Sequence, residues 1–270
     1  MHITNPTTNN HNRHATAAGP AVGFRFGALT HVGRVRAANE DSHRVCTNGA
    51  VVCDGLGGHN AGEVASATAA TTIGNEIDRG FATPELFGEA VRLANITVHD
   101  DAQNNPHHRG MGTTAVALAP VPGDVPRVAV ANTGDSRAYL YRSGDFIPVT
   151  TPHNVAQRLI DGGMDPAEAH ARWDAHMLTD AIGLLPEVRV DVTVVKVEPG
   201  DRFLLATDGL TDMVNDDDIA EALWRHRDPQ VCAGRLVELA NERGGIDNIT
   251  VVIADVVIAA AVNTGAGVTA

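Results

Sequence analysis

The sequence predicts an α+β fold in which antiparallel sheets carry pairs of helices on their faces. Short apolar runs rich in β-branched residues recur along the chain and have the length of strands. Longer Ala-rich stretches carry apolar residues three and four positions apart, which is typical of amphipathic helices. The strands come in runs and the helices in pairs, whereas a βαβ chain would alternate them.

The first predicted strand alternates Phe24, Phe26 and Ala28. Further strands are predicted at residues 51–53, 113–121, 127–131, 138–142, 188–197, 202–206 and 249–258. Helices are predicted at residues 63–79, from Pro84 to about residue 100, and at 218–226 and 229–243. Residues 150–186 contain glycine and proline breakers, so we expect a short helical excursion on the surface there.

Composition limits the partners of this chain. The 270 residues are 43% hydrophobic and have 20 Lys and Arg against 33 Asp and Glu, a net charge of −13. A field of that sign repels nucleic-acid phosphates and anionic lipid headgroups, so neither nucleic acid nor a membrane is an expected partner. The most apolar stretch, residues 251–262, contains Asp255 and is too short to span a bilayer.

The chain ends and the cysteines complete the domain prediction. Residues 1–20 are rich in Asn and Thr without hydrophobic periodicity, so a disordered tail is expected before one domain over 21–258, with a short tail at 259–270. The tail lacks the apolar run of a secretory signal. Three cysteines without Cys-x-x-Cys spacing favour a reducing cytoplasm, and Cys53 is expected to be a core thiol.

Four aspartates share one pattern, in which an apolar segment ends in aspartate followed by a small or polar residue. They are Asp54, Asp135, Asp208 and Asp247. Carboxylates brought together in this way repel one another unless cations lie between them, and oxygen donors suit Mg²⁺, Mn²⁺ or Ca²⁺ and not zinc. The pattern predicts a divalent-metal cluster. The alternative is that each aspartate merely marks a turn after a strand.

These aspartates lie within six ordered motifs, which are VRAANED (35–41), VCDGLGGHNAGEVAS (52–66), GMGTTA (110–115), NTGDSRAYL (132–140), GDRFLLATDGLTD (200–212) and DNITVVIADV (247–256). From about Phe24 to Val257 the set resembles the bacterial branch of the metal-dependent, type 2C-like serine/threonine protein phosphatases. The resemblance implies a four-layer αββα sandwich with a binuclear Mg²⁺/Mn²⁺ centre between the sheets. It also implies a metal-activated water that hydrolyses phosphoserine and phosphothreonine of protein substrates, the targets of a bacterial serine/threonine kinase.

The resemblance assigns a role to each residue of the expected metal site. Asp54 matches the bridging aspartate, and Gly55 matches the glycine whose carbonyl binds one metal. Asp208 and Asp247 match the aspartates that complete the other metal's shell. Glu40 matches the acidic residue that holds metal-bound water.

Two further matches each have a competing interpretation, and two other residues are expected to support the ligands. Arg36 matches the arginine that binds the substrate phosphate, although a plain surface charge is the alternative. Asp135 matches a ligand of a third, weaker metal, with a structural ion pair to Arg137 as the alternative. Asp41 and Asn248 are expected to support the ligands from behind.

The chain departs from the family in two places. Leu56 stands where other branches carry histidine and bacterial relatives usually carry methionine, so that position offers no proton donor. His59 and His153 are the imidazoles that could replace it, although a structural role is the alternative for His59. The segment 151–183 matches the family's flap but reads TTPHN and LTDAIG where the usual motifs differ, which leaves substrate choice open.

Two other classes of function compete with an enzyme. A catalytically silent relative could bind phosphorylated partners, but it would have no chemical need for the complete ligand set. A Ca²⁺-stabilised structural protein would be expected to carry a contiguous EF-hand loop. The acidic run at 216–218 is better explained as a helix N-terminus.

Overall fold

The computed structural model describes residues 21–57 and 61–259. The strands are β1 (Ala21–His31), β2 (Ser42–Cys46), β3 (Gly49–Cys53), β4 (Gly55–Leu56), β5 (Gly112–Thr113), β6 (Ala115–Pro120), β7 (Arg127–Thr133), β8 (Arg137–Arg142), β9 (Asp145–Pro148), β10 (Asp191–Lys196), β11 (Arg202–Ala206) and β12 (Ile249–Ala259). The α-helices are α1 (Gly62–Arg79), α2 (Pro84–Asn104), α3 (Val155–Asp161), α4 (Pro166–His170), α5 (Asp208–Thr211), α6 (Asp216–Arg225) and α7 (Pro229–Glu242). The predicted tails fall outside the described residues apart from Ala259.

The strands form two five-stranded antiparallel sheets. Sheet I has the order β1-β12-β11-β8-β9, and sheet II has the order β10-β7-β6-β3-β2. Strands β4 and β5 form a separate two-stranded pair beside them. The first and last strands of the domain pair along their whole length, with Ala21 opposite Ala259 and His31 opposite Ile249.

Three apolar layers separate four layers of secondary structure. One core lies between sheet II and the helix pair α1 and α2, and includes Val51, Ile73 and Val91. A second lies between sheet I and helices α5 to α7. The third fills the space between the two sheets with side chains such as Phe203 and Leu205. The α+β class and the αββα sandwich are therefore confirmed.

The sequence did not predict three strands, which are β2, β4 and β9. β4 has only two residues, and β2 and β9 lie at sheet edges. Cys46 is the one buried residue of β2 and β9 has none, so neither strand has the apolar run that identifies a strand in sequence. The predicted strand at 113–121 is in fact divided at Thr114 into β5 and β6.

Residues 150–186, called the flap below, contain the two short helices α3 and α4 around a small core of Ala156, Ala169 and Ala175. The flap is anchored to the body at both ends. His153 N–H donates to the Gly134 carbonyl at 2.9 Å, and Ile182 forms a β-bridge with Thr113. Within residues 21–57 and 61–259, no helix has both the length and the apolar character needed to cross a membrane.

We predict that Leu205→Ala lowers the free energy of unfolding by about 2–5 kcal/mol, because it empties space between the sheets. Leu205 is fully buried in β11, whereas Val194 in the edge strand β10 is 41% exposed. Val194→Ala is the matched control and should cost less than about 1 kcal/mol. Urea unfolding of both variants measures the difference, and equal losses would contradict the assigned core.

Candidate metal centre

A cavity of about 500 Å³ opens where the ends of the two sheets meet. Its lining includes every residue predicted for the metal site and the phosphate contact, which are Arg36, Glu40, Asp54, Gly55, Asp135, Asp208 and Asp247. Asp54 follows β3, and Asp135 lies in the turn between β7 and β8. Asp208 begins α5 directly after β11, and Asp247 lies just before β12. Both sheets therefore contribute carboxylates to one cavity.

Hydroxyl groups hold Asp54 and connect it to the turn that carries Asp135. The Asp54 N–H donates to Thr114 Oγ1 at 3.0 Å. The Asp54 carbonyl accepts from Thr113 Oγ1 at 2.8 Å and from the Thr114 N–H at 2.9 Å. Thr114 Oγ1 also lies 2.7 Å from Ser136 Oγ. The threonines of the GMGTTA motif therefore hold the Asp54 backbone, and Thr114 also contacts the NTGDSRAYL motif, which carries Asp135.

Asn248 fixes the loop that carries Arg36 and Glu40. Its Nδ2 donates to the Val32 carbonyl at 3.0 Å and to the Ala38 carbonyl at 2.9 Å. Its Oδ1 accepts from the Glu40 N–H at 2.8 Å. One side chain therefore satisfies three backbone groups of this loop and holds it beside Asp247.

A glycine permits the close packing behind Asn248. A Cβ atom built on Gly209 would lie 1.9 Å from the Asn248 carbonyl oxygen, so a larger residue would push α5 away from β12. Gly55 is similarly enclosed, since a Cβ there would lie 2.4 Å from the Glu40 carbonyl oxygen. These contacts explain why glycine follows aspartate at both positions better than a turn preference alone.

Asp41 lies behind the ligands and is only 7% exposed. Its Oδ2 accepts hydrogen bonds from Thr207 Oγ1 at 3.0 Å and Thr250 Oγ1 at 2.7 Å, while Oδ1 is buried without a partner in the described chain. Burial is the main cause that raises the pKa of Asp41 to about 7. Asp41 therefore connects the loop to β11 and β12.

Arg36 is half exposed, and its Nη2 lies 2.6 Å from Asp247 Oδ2. The hydrogen bond to Asp247 is the main cause that raises the pKa of the Arg36 guanidinium. The alternative, that Arg36 is only a surface charge, does not describe this arrangement. The side chain faces the cavity and neutralises one of its carboxylates.

Burial and mutual repulsion raise the pKa values of the cavity carboxyl groups. Burial, followed by the charges of Asp41 and Asp208, raises the pKa of Asp54 well above its ordinary value. Burial, then Asp212, raises the pKa of Asp208 to about 6. Burial, then Asp208, raises the pKa of Asp135 to about 7. Each of these carboxyl groups is therefore easier to protonate than an ordinary aspartate, and a nearby positive charge would favour its ionised form.

The donor set fits a hard divalent cation. All the predicted donors are carboxylate or carbonyl oxygens, and Asp208 Oδ1 is buried with no hydrogen-bond partner in the described residues. In residues 21–57 and 61–259, no three His, Cys, Asp or Glu side chains form a ready-made cage. Mg²⁺ usually retains several waters and binds through one or two carboxylates, so water would complete a site of this kind.

The alternative role for Asp135 is not realised. Among the ion pairs of the described residues there is none between Asp135 and Arg137. The Arg137 guanidinium instead donates to the Tyr139 hydroxyl at 3.4 Å. Asp135 therefore keeps its oxygens toward the cavity side of the turn.

Of the two histidines considered from the sequence, His153 does not supply a proton donor to the cavity. His153 is 2% exposed, accepts from the Gly134 N–H through Nδ1 at 3.3 Å, and lies 3.0 Å from Asp191 Oδ2 through Nε2. It anchors the flap and does not line the cavity. His59 lies outside the described residues. Cys53 is fully buried, and burial raises the pKa of its thiol, as expected of a core cysteine.

The sequence analysis missed the residues that the flap contributes. Among the described residues that line the cavity, His176 is the one histidine, and Leu178 lies beside it. The supporting hydroxyls of Thr207 and Thr250 were also missed. Threonine in an apolar run looks like an ordinary strand residue, so only the order of the motifs could have identified these two.

The comparisons with known proteins agree with this geometry. A family model described as "Protein phosphatase 2C" matches residues 23–159, and one described as "Stage II sporulation protein E (SpoIIE)" matches residues 165–257. The serine/threonine protein phosphatase PstP of Mycobacterium tuberculosis is 38% identical over 240 residues, which cover 87% of this chain and 45% of that protein. The chain belongs to the protein phosphatase 2C family. It spans less than half the length of this relative.

Other relatives match over nearly their full length. The protein phosphatase PhpP of Streptococcus pneumoniae is 34% identical over 236 residues, covering 83% of this chain and 94% of that protein. The crystal structure of M. tuberculosis PstP has a TM-score of 0.79 at 36% identity, covering 86% of this chain and 98% of that one. The PstP catalytic domain in complex with two manganese ions has a TM-score of 0.77 at 36% identity, covering 88% and 100%.

We predict that Asp54→Asn stabilises the metal-free protein at pH 8, because burial and the neighbouring carboxylates raise the pKa of Asp54. Because folding raises the pKa of Asp54, its ionised form destabilises the parent increasingly as the pH rises from the ordinary aspartate value. The difference should therefore be small at pH 4. Urea unfolding in EDTA measures it, with Asp124→Asn, an exposed carboxylate, as the control. A destabilised Asp54→Asn at pH 8 would refute the repulsion argument.

Proposed function

We propose that this chain hydrolyses phosphoserine and phosphothreonine monoesters of protein substrates, with Mn²⁺ or Mg²⁺ as the required cofactor. The observation that carries the proposal is the convergence of Arg36 and the six predicted metal-site residues on one cavity. The fold of this chain matches that of the PstP catalytic domain, whose structure contains two manganese ions.

Asp54 is the residue we assign to both metals, as the family resemblance implies, and the charges of Asp208, Asp135 and Asp247 all act on it. The Gly55 carbonyl and Glu40 would complete one metal's surroundings, and Asp208 and Asp247 the other's. Bound there, the cations would supply Lewis-acid activation of water and charge stabilisation at phosphorus. Asp135, which faces Asp208 across the cavity, is the proposed ligand for a third, weaker metal.

Arg36 is the proposed phosphate contact. Its guanidinium is half exposed at the cavity and now pairs with Asp247. A metal on Asp247 would remove the need for that ion pair, and the arginine would then be available to a phosphate dianion. Guanidinium binds phosphate through two parallel hydrogen bonds, which a lysine ammonium cannot reproduce.

The substrates we propose are proteins phosphorylated by a bacterial serine/threonine kinase, and the support is that the relatives are bacterial protein phosphatases. We also propose a cytoplasmic site of action, supported by three buried free cysteines. The functional unit is proposed to be residues 21–258, with the flap at 150–186 as the part that contacts substrate.

The competing function is a catalytically silent binder of phosphoproteins. Such a protein would bind a phosphothreonine peptide but would not release phosphate from it. The complete set of carboxylates in one cavity favours turnover, because a binding module would have no use for the repulsion that the set creates.

We predict that purified protein releases phosphate from p-nitrophenyl phosphate and a phosphothreonine peptide with Mn²⁺, and that excess EDTA abolishes the release. Asp247→Asn should lower kcat by roughly 100-fold or more, because it weakens a metal position. Asp124→Asn should keep the parental rate. Peptide binding without turnover by the parent would establish the silent binder, and Asp247→Asn within about tenfold of the parent would remove that residue from the metal site.

Arg36→Ala should mainly raise KM for the phosphopeptide, because a contact to the ground-state phosphate contributes largely uniform binding. Arg36→Lys should recover little of the loss, since it cannot make the paired contact. Steady-state kinetics of the three proteins on the phosphothreonine peptide test this. An unchanged KM in both variants would return Arg36 to the role of a counter-ion for Asp247.

A further inference from the structure

The residue after the Asp-Gly pair cannot donate a proton, but the flap places a histidine in the same cavity. Leu56 lines the cavity and has no ionisable group, whereas His176 of the flap lines the same cavity. The side chain of His176 is 64% exposed, so a substrate that enters the cavity can reach its ring.

The carboxylate of Asp212 lies beside the imidazole of His176. His176 Nδ1 lies 3.5 Å from Asp212 Oδ2, and the Asp212 carboxylate is 28% exposed. Asp212 is fixed at the end of α5, where its N–H donates to the Asp208 carbonyl at 2.8 Å. The Asp212 carboxylate lies on the Nδ1 side of the ring, which leaves Nε2 as the ring nitrogen that a substrate can reach.

The backbone around His176 is held by hydrogen bonds on both sides. The Met177 N–H donates to the Asp174 carbonyl at 3.0 Å, and the Met177 carbonyl accepts from the Val155 N–H at 2.9 Å. The Thr179 N–H donates to the His153 carbonyl at 2.9 Å. The ring is therefore presented from an ordered part of the flap.

Negatively charged groups lie near the ring of His176. Asp212 is its ion-pair partner, and the positive charge of His176 opposes the rise in the pKa of Asp208. The imidazole thus lies close enough to the acidic cluster to interact with it, at the side of the cavity formed by the flap.

We propose that His176 donates a proton to the leaving oxygen of the substrate, a role that rests on the proposed phosphatase function. The oxygen of a water molecule forms a bond to phosphorus, and the ester P–O bond breaks with its electron pair on the serine or threonine oxygen. The Nε2 proton of the His176 imidazolium passes to that oxygen. The attacking water releases a proton to solvent, and solvent reprotonates the imidazole. Asp212 is a positioning residue that holds the ring.

The test compares the parent with His176→Gln across phosphate monoesters whose leaving groups range from 2,4-dinitrophenol to threonine in a peptide. Glutamine keeps polarity and length but cannot transfer a proton. We expect kcat on the phosphothreonine peptide to fall about 100-fold, within the range for general acid catalysis, and kcat on 2,4-dinitrophenyl phosphate to change less than about 3-fold. Asp212→Asn should show a smaller loss with the same dependence on leaving group.

Matched controls separate this role from a structural one. Met177→Ala alters the neighbouring exposed flap residue and should leave both rates close to the parent's. Calorimetric titration with Mn²⁺ should give the same stoichiometry for His176→Gln and the parent. His176→Asn provides a second variant should glutamine disturb the fold. Single-turnover measurements ensure that chemistry limits the rates being compared.

The outcomes distinguish this proposal from the function on which it rests. A variant that loses the same factor on every ester overturns proton donation by His176, as does a variant with no loss on the peptide. A parent that is inactive on all esters with Mn²⁺ overturns the phosphatase function itself, and proton donation with it. A steeper dependence of kcat on leaving-group pKa in His176→Gln supports the proposal.

Discussion

Repulsion among buried carboxylates is the constraint on which the rest of the site depends. Asp54, Asp135 and Asp208 lie where two sheets meet, and burial together with their mutual charge raises their pKa values. Such a cluster costs folding free energy unless cations or protons neutralise it. The three apolar cores hold the sheet ends in place against that cost. In the proposed site, the same charges that destabilise the metal-free chain would provide its affinity for divalent metal.

The supporting contacts are arranged to keep the carboxylates in position. Asn248 bonds three backbone groups of the loop that carries Arg36 and Glu40, and Asp41 bonds hydroxyls from two neighbouring strands. Ligands held in this way lose little freedom when a metal binds, which favours a site that is ready before the metal arrives. The flap is separate from these supporting contacts. Its own small core holds it together, and hydrogen bonds at its two ends hold it to the body. It can therefore differ in sequence without disturbing the ligands.

The sequence predicted those parts of the molecule that a local pattern of residues marks. The central strands and the helices carry hydrophobic periodicity, and the aspartates that follow apolar segments indicated the cavity that Asp54 and Asp208 line. The edge strands β2 and β9 escaped prediction because they bury little apolar surface. His176 escaped because no local pattern marks a flap residue that reaches a distant cavity. The pairing of Arg36 with Asp247 depends on residues 211 positions apart, which periodicity cannot reveal.

The most direct test of the central claim is the number of protons released when the metal-free protein binds Mn²⁺. Titration calorimetry in buffers of different ionisation enthalpy gives this number at pH 6 and at pH 8.5. Because the pKa values of Asp208 and Asp135 are about 6 and about 7, metal should displace more protons at pH 6 than at pH 8.5. Binding of Mn²⁺ without proton release at pH 6 would contradict the account, since the carboxylates would then be ionised without any cation between them.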